Sequence, residues 1–238
     1  MKHYKAATDR KRAAVFTRII REITMAARQG GGDPGGNPRL RTAIENAKAS
    51  SMPKENIERA IRKGTGELEG LDYQEVLYEV YGPGGVAIMV QAMTDNPTRT
   101  VADLRHKLSR NGGNLGSANS VAFLFDRKGQ ILLDATTVDE ETALLAALEA
   151  GAEDMSREDD RYVVTTDPAE LHAVRDALET AGLSIADAEL GWVPQSTVRV
   201  EGETASQLVR LLDALDDLDD VQKVDANFDM DVSELAEA

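Results

Sequence analysis

The apolar residues of this chain change from helical spacing to the alternation of strands in a turn-rich stretch over residues 64–72, and strands occur only after it. Before that stretch, apolar residues recur every three or four positions, which is typical of amphipathic helices. They predict a long helix over residues 9–29 with Thr8 as N-cap, a second helix that begins at Asn37-Pro38, and a third between Pro53 and Gly64. Because the connections are short, these three helices are expected to form a small bundle.

After residue 72 the apolar positions alternate, as they do in half-buried strands. Strands are predicted over 76–82 and 86–93, and the Pro83-Gly84-Gly85 sequence between them predicts a β-hairpin. The next residues predict a helix over 97–110 and a further strand over 120–126.

Residues 130–190 follow a more regular order. The predicted elements are strand ILLD from residue 131, helix 139–150, strand 152–156, strand RYVVTT, helix 168–181 and strand 184–190. This β-α-β-β-α-β order is typical of a ferredoxin-like domain, in which two helices cover one face of an antiparallel sheet.

The last segments predict a strand over 196–200, a helix over 203–218 and a strand VQKVDAN, and this piece needs a partner sheet, which the strands of 76–126 can supply. We therefore predict an α+β fold with an N-terminal three-helix bundle and two ferredoxin-like α/β domains, one inserted in the other. The predicted domains are a basic helical domain over 1–68, a discontinuous α/β domain over 72–128 and 192–238, and an inserted βαββαβ domain over 129–191.

Charge is distributed unevenly along the chain. Residues 1–66 carry 15 Lys and Arg against 6 Asp and Glu, whereas the remaining residues carry 12 against 36. Because like charges repel, a concentrated basic segment in an acidic protein indicates an anionic partner, and nucleic acid is the commonest one. The alternative is that these side chains only solvate helix faces.

A second basic segment lies in the helix predicted over 97–110, which carries four Lys or Arg against Asp103. It is interpreted either as a further nucleic-acid surface or as a set of arginines that pair with neighbouring acids. The residues predicted to bind nucleic acid are Lys2, Lys5, Arg10, Lys11, Arg12, Arg18, Arg21, Arg28, Arg39, Arg41, Lys54, Arg59, Arg62, Lys63, Arg99 and Arg105.

Several other functions are not indicated. The chain has no cysteine, and its histidines, His3, His106 and His172, are far apart, so we expect no metal site. GGGDPGG lacks a phosphate-loop lysine and is interpreted as a flexible connector, so no cofactor is expected. The sequence contains no recognisable nucleophile motif or acid/base pair, so an enzyme is not predicted. The sequence has no signal peptide or membrane span and predicts a cytoplasmic protein with no membrane partner.

Base stacking is expected to contribute little. Tyr4 and Phe16 are the aromatic residues among the first 66, and Phe16 fits a helix core. Phe123 and Phe125 alternate onto one face of the predicted strand, where core packing is favoured over an RNA-recognition role. The predicted binding mode is therefore contact with the nucleic-acid backbone and its shape, which is sensitive to salt.

Two long stretches resemble one known family, namely FTRIIREITMAARQGGGDPGGNPRLRTAIENAKASSMPKENIERAIRKGTGE and YEVYGPGGVAIMVQAMTDNPTRTVADLRHKLSRNGGNLG. They are similar to the YebC/PmpR family, whose mitochondrial relatives are translational activators of cytochrome oxidase. The resemblance covers nearly the whole chain and implies three domains, no cofactor and no catalytic residues. It implies a probable DNA-binding transcriptional regulator, or a ribosome-associated factor that assists translation of difficult sequences such as proline runs.

The resemblance departs from the family pattern at the start of the chain. Family members usually open with a GHSKW-like segment, whereas this sequence starts at Met1-Lys2-His3, so part of the basic arm is expected to be missing. The residues that match the family by motif and charge are Arg10, Lys11, Arg12, Arg18, Arg21, Arg59, Arg62, Lys63, Arg99 and Arg105.

Three hypotheses of function follow. The first is a non-enzymatic regulator of gene expression that binds DNA through the N-terminal bundle. The second uses the same residues to bind ribosomal RNA on the ribosome and to assist translation. The third is a small-ligand sensor, because paired βαββαβ units can offer a sheet or cleft to a metabolite. The sequence does not specify the oligomeric state.

Overall fold

The computed structural model describes the backbone of residues 2–231 and the side chains of residues 13–231. The end of the predicted discontinuous domain, residues 232–238, lies outside that range. The helices of the described part are α1 (Lys2–Gly30), α2 (Pro38–Ala49), α3 (Lys54–Gly64), α4 (Pro97–Arg110), α5 (Glu140–Glu149), α6 (Leu171–Thr180) and α7 (Gly202–Asp216). The strands are β1 (Gln74–Tyr81), β2 (Ala87–Thr94), β3 (Asn114–Leu115), β4 (Phe125–Asp134), β5 (Asp154–Glu158), β6 (Arg161–Thr166), β7 (Ile185–Pro194), β8 (Val198–Arg199), β9 (Val221–Ala226) and β10 (Phe228–Asp229).

The chain divides into two compact units. The first contains the residues up to Gly70 together with Arg127–Gly191, and the second contains Leu71–Asp126 together with the residues from Trp192 onward. The helical segment and the predicted inserted segment therefore belong to one unit, and the division into three domains stays a prediction. No helix among residues 2–231 is both long and apolar enough to cross a membrane.

The helices α1, α2 and α3 pack around a shared apolar core that includes Ile23, Leu40 and Ile57. Asn37 explains where α2 begins: its side-chain oxygen accepts from the Leu40 amide at 3.1 Å as an N-cap, while its amide nitrogen donates to the Ala26 carbonyl at 2.8 Å. The same residue thus caps α2 and ties it to the end of α1.

The first helix is longer than the sequence pattern predicts. It begins at Lys2 rather than at residue 9, so Thr8 is not an N-cap. No Gly or Pro lies before Thr8, and Ala6-Ala7 favour continuation of the helix.

Gly64 sets the distance between α1 and α3. A Cβ atom at this position would lie 2.4 Å from the Thr24 carbonyl oxygen and 2.7 Å from the Ala27 Cβ. Only a residue without a side chain allows the end of α3 to approach the α1 backbone this closely.

The sheet of the first unit has the strand order β5-β6-β4-β7. Strand β6 pairs antiparallel with both β4 and β5, and this order is that of the predicted ferredoxin-like domain. Its core includes Ile131 and Leu133 of β4, Ala143 of α5 and Leu178 of α6. The predicted elements of residues 130–190 are therefore confirmed, with small shifts at their ends.

The second unit contains an antiparallel sheet of order β3-β1-β2-β9. The predicted hairpin is confirmed as β1 and β2, and β9 joins β2 on its other side, as expected for a partner sheet. Leu104 of α4 and Leu208 and Leu211 of α7 are in the core formed with Val80 and Val90. Strand β8 does not join this sheet, because it pairs in parallel with β10.

The predicted strand over 120–126 is wrong for residues 120–124 and right for its last two residues, which begin β4. Residues 122–124 form a short 3₁₀ turn, and β4 begins only at Phe125. The cause is the buried carboxylate of Glu79, which accepts hydrogen bonds from the backbone amides of Asn119, Val121 and Ala122. These amides bind one side chain, so the segment curls around it instead of pairing as a strand.

Candidate nucleic-acid interface

The outer side of α3 carries three of the predicted cations, of which Arg59 and Arg62 are exposed and Lys63 is half-buried. Arg62 and Lys63 follow Arg59 by three and four residues, so both are neighbours of Arg59 on the surface of the helix. Within the described part of the chain, Arg59 and Lys63 form no ion pair with an acidic side chain. Ile57 and Ala60 occupy the opposite, buried side and fix the helix in the bundle.

Two further cations of α3 have acidic neighbours in solvent. Arg62 lies 3.4 Å from Glu67, and Lys54 lies 3.5 Å from Glu58. More than half of each of these four side chains is exposed, so the two pairs contribute little to stability.

Three of the predicted cations of α1 have side chains in the described part of the chain. Arg18 is half-buried, Arg21 is 8% exposed, and Arg28 is exposed in the last turn, where a cation stabilises the helix end. All three interact with neighbouring groups. The remaining predicted residues of α1 have side chains outside the described part, namely Lys2, Lys5, Arg10, Lys11 and Arg12.

Arg39 and Arg41 are held by acids of their own unit. Arg39 binds both carboxylate oxygens of Glu22, at 2.7 and 2.9 Å. Arg41 binds Asp176 of α6 at 2.9 Å and also donates to the Pro34 carbonyl. Such charge-assisted contacts favour a role in joining the elements of the unit, so we leave both residues out of the proposed interface.

His172 of α6 lies in the contact between α2 and α6. Its Nδ1 is 2.6 Å from the Thr42 hydroxyl oxygen, and Asn46 donates to the Ala188 carbonyl nearby. Burial lowers the pKa of His172, while the negative charge of Asp176 partly opposes that effect. The imidazole therefore stays neutral in the folded protein at pH values where an exposed histidine begins to take up a proton.

We expect His172→Asn to change how stability depends on pH. A folded-state pKa below the ordinary value of about 6.5 means that the unfolded chain binds more protons, so His172 favours folding above that value and loses this contribution as pH falls through it. The free energy of unfolding, measured by urea titration between pH 5 and 8, should fall more steeply towards acid in the parent than in the variant. Parallel curves would contradict the assignment.

In the second unit, the predicted residue Arg99 is engaged by two acids. Its guanidinium lies 2.8 Å from Asp95 and 3.0 Å from Asp220, and these carboxylates raise its pKa. Asp220 is nearly buried and also accepts from the Thr94 and Thr100 hydroxyls. Arg99 therefore links the first turn of α4 to the residue that directly precedes β9. This position agrees with the interpretation that arginines of this helix pair with neighbouring acids.

Arg105 has a different setting from Arg99. It is exposed, forms no ion pair within the described part, and lines a shallow groove of ≈ 540 Å³ between α4 and the following loop. Leu108 and Leu115 supply the apolar surface of that groove, and Ser109, Asn114 and Ser117 supply polar groups. Lys107 and Arg110 of the same helix also form no described ion pair.

Glu79 is a positioning residue that the sequence patterns did not single out. It is 7% exposed, and burial raises its pKa, but the hydrogen bonds from the backbone amides of residues 119–122 outweigh burial and lower the pKa overall. Alternation along the strand VLYEVYG places Glu79 on the same face as the exposed Leu77 and Tyr81, so the strand pattern gave no signal of its burial.

The two phenylalanines expected in the core separate in the structure. Phe125 is buried with Met89 and Val121, as expected. Phe123 is 68% exposed in the 3₁₀ turn, which corrects the expectation of a second core position. The alternation argument failed because the residues before Phe125 are not a strand.

Comparison with known proteins gives a consistent family. The family model described as the TACO1/YebC protein N-terminal domain matches residues 1–67, and the model described as the TACO1/YebC second and third domain matches residues 73–228. A probable transcriptional regulatory protein of Gemmatimonas aurantiaca is 66% identical over 100% of this chain and 96% of the relative. Another protein of that name from Persephonella marina is 56% identical over 97% of this chain and 93% of the relative.

A solved structure agrees with these relatives. The crystal structure of a conserved hypothetical protein from Aquifex aeolicus matches with a TM-score of 0.89 and 50% identity, over 93% of this chain and 91% of that chain. The agreement includes the mixed helix and antiparallel-sheet architecture described above. The two family models together match residues 1–67 and 73–228, and the relatives match over nearly their full length. This chain therefore belongs to the TACO1/YebC family.

Proposed function

We propose that this chain is a non-enzymatic regulator of gene expression that binds nucleic acid through the outer side of α3 and the neighbouring part of α1. The observation that carries the proposal is the set of accessible cations on α3, where Arg59 and Lys63 form no ion pair within the described residues. The names of the relatives, probable transcriptional regulatory proteins, support the same class of function.

The expected binding mode is contact with phosphates rather than with base edges. Arg59, Arg62 and Lys63 are long, flexible side chains on one side of a short helix. Arginine and lysine neutralise phosphate oxygens and release counterions, so affinity depends steeply on salt and weakly on sequence. The large acidic excess of the remaining chain limits adhesion of other surfaces to polyanions.

The test is the double reversal Arg59→Glu with Lys63→Glu. Each phosphate contact in water is worth about 1 kcal/mol, and reversal replaces attraction by repulsion, so two reversals cost about 4 kcal/mol and we expect about a 1,000-fold loss of affinity for duplex DNA. The log–log salt slope should fall by about 1.8 units, because two phosphate contacts are removed. Fluorescence anisotropy at several salt concentrations measures both quantities.

A matched control changes the net charge equally at other exposed arginines. Arg157→Glu with Arg210→Glu alters β5 and α7, and it should leave affinity within about twofold, because long-range charge is screened over about 10 Å. Unchanged affinity of the α3 variant would remove α3 from the interface. A loss seen instead with Arg105→Glu and Arg110→Glu would assign binding to α4.

The alternative proposal is that ribosomal RNA supplies the phosphates and that the chain assists translation. The same α3 cations would serve, since phosphate contacts do not distinguish the two nucleic acids. Co-sedimentation with ribosomes and recovery on promoter DNA, measured from one lysate for the parent and the α3 variant, separate the two. Loss of ribosome binding alone supports translation, and loss of DNA recovery alone supports transcription.

A further inference from the structure

The outer face of α5 exposes three leucines that nothing described above explains. Leu144, Leu145 and Leu148 are 38%, 56% and 52% exposed. They are one, three or four positions apart in the helix, so they form one continuous apolar strip, which we call the leucine strip. A single exposed leucine is ordinary, whereas a cluster on one helix face is typical of a binding surface.

The inner face of α5 shows that the strip is not a consequence of core packing. The side chains that face the sheet are small: Ala143 is fully buried, and Ala147 is 1% exposed. An amphipathic helix normally places its largest apolar residues inward, because burial of a leucine stabilises more than burial of an alanine. In α5 the large residues face solvent and the small ones face the core, so stability of the unit alone does not account for the leucines.

Acidic residues lie at both ends of the leucine strip, and we call these four residues its acidic frame. Glu140 and Glu141 lie in the first turn of α5, Glu149 lies in its last turn, and Asp139 caps its N-terminus. No Lys or Arg occurs between Asp139 and Ala150. Among the described residues, the one ion pair with these acids is that of Arg157 with Glu140, at 3.8 Å, and this exposed pair contributes little.

We propose that the leucine strip binds a helix of another protein whose apolar side chains are flanked by Lys and Arg. The leucines supply the apolar contact, and the glutamates select partners with basic flanks and repel acidic ones. Nucleic acid and anionic lipid surfaces do not fit this face, because both carry the same sign of charge as its frame. The proposal does not depend on the nucleic-acid function.

A second copy of this chain does not fit the face either. Symmetric pairing would place each acidic frame against the same frame of the partner, with like charges in contact. The basic helices α3 and α4 offer no exposed apolar side, because Ile57 and Ala60 of α3 and Leu104 and Leu108 of α4 are buried in their own units. Among the described side chains of α1, Val15 is the one exposed large apolar residue, which is too little for a matching strip. A different protein with an apolar and basic helix satisfies both requirements.

The probe is a synthetic helical peptide of about 18 residues, or five turns, with one leucine face flanked by lysines. A matched peptide carries glutamates in place of the lysines. Fluorescence anisotropy with the full chain should give binding of the lysine peptide and at least about tenfold weaker binding of the glutamate peptide. Equal binding of the two peptides would overturn the assigned partner chemistry.

The variant Leu145→Ser with Leu148→Ser keeps every charge and removes most of the apolar surface. It should bind the lysine peptide at least about tenfold more weakly than the parent. Leu71→Ser, at a 54% exposed leucine of the second unit, is the control and should change affinity less than about twofold. Unchanged affinity of the α5 variant would mean that net charge alone attracts the peptide and would overturn the proposal.

Analytical ultracentrifugation tests whether the leucine strip binds a second copy of this chain. The parent and the Leu145→Ser, Leu148→Ser variant should sediment identically at each concentration, because the strip is not expected to join two copies. A parent dimer that becomes a monomer in the variant would assign the strip to self-association and contradict the proposal. Circular dichroism of the variant should match the parent, since both substituted side chains are exposed.

Discussion

Glu79→Gln is expected to lower the free energy of unfolding of the second unit by about 3 kcal/mol. The carboxylate accepts from the backbone amides of Val121 at 2.7 Å and Ala122 at 2.8 Å with one oxygen, and from Asn119 with the other. Glutamine keeps one acceptor oxygen and presents an NH₂ group in place of the second. At least one buried backbone donor then faces another donor, and the charge that strengthened all three bonds is gone.

Urea denaturation at neutral pH measures this loss, and Glu75→Gln is the matched control. Glu75 lies on the same strand and is exposed, so its replacement should change stability by less than about 0.5 kcal/mol. Because the pKa of Glu79 is lowered on folding, its contribution is present above the ordinary carboxyl pKa and disappears as pH falls through the folded value. The parent and variant should therefore converge in acid; a constant difference at all pH values would contradict this account.

Gly64→Ala is expected to destabilise the first unit although alanine favours helices. Replacement of glycine by alanine in a helix stabilises by up to about 1 kcal/mol through chain entropy. At Gly64 the new methyl group would meet the Thr24 carbonyl oxygen at 2.4 Å, and this oxygen belongs to the backbone of α1. Overpacking against atoms that cannot rotate away costs about 3 kcal/mol, so the net expected loss is about 2 kcal/mol.

Gly36→Ala provides the control for this prediction. The nearest atom to a Cβ at Gly36 is a carboxylate oxygen of Asp33 at 3.9 Å, which is ordinary contact. This variant should leave stability unchanged or raise it by about 0.5 kcal/mol. Thermal unfolding of the two variants beside the parent tests the contrast, and an increase in stability for Gly64→Ala would show that α1 and α3 can move apart without loss.

Some elements with local signals were predicted correctly from the sequence, although Thr8 failed as the predicted start of α1. The start of α2 follows from Asn37 and Pro38, whose capping and fixed backbone angle act within three residues. The strand predicted over 120–126 failed because its conformation depends on Glu79, about 40 residues earlier. Hydrogen bonds between distant residues leave no periodic pattern in the sequence, so alternation alone could not reveal the turn.

The candidate interface shows the same limit. Charge and helical spacing are sufficient to predict that Arg59 and Lys63 share an outer face, since Ile57 marks the inner one. The same rules grouped Arg39 and Arg41 with them, but the acids that hold these two arginines are Glu22 and Asp176, 17 and 135 positions away. Only the tertiary structure distinguishes a cation that holds the fold together from one that is available to a partner.

The distribution of each unit over separate stretches of chain affects how the protein emerges during its synthesis. The bundle leaves the ribosome first, yet Arg41 must wait for Asp176, and the Ala87 amide waits for Asn227, 140 positions later. At an elongation rate of about 5–20 residues per second, the first of these intervals lasts roughly ten seconds. Throughout that time the nascent bundle lacks one of its own neutralising acids, so its positive charge is least compensated before the protein is complete.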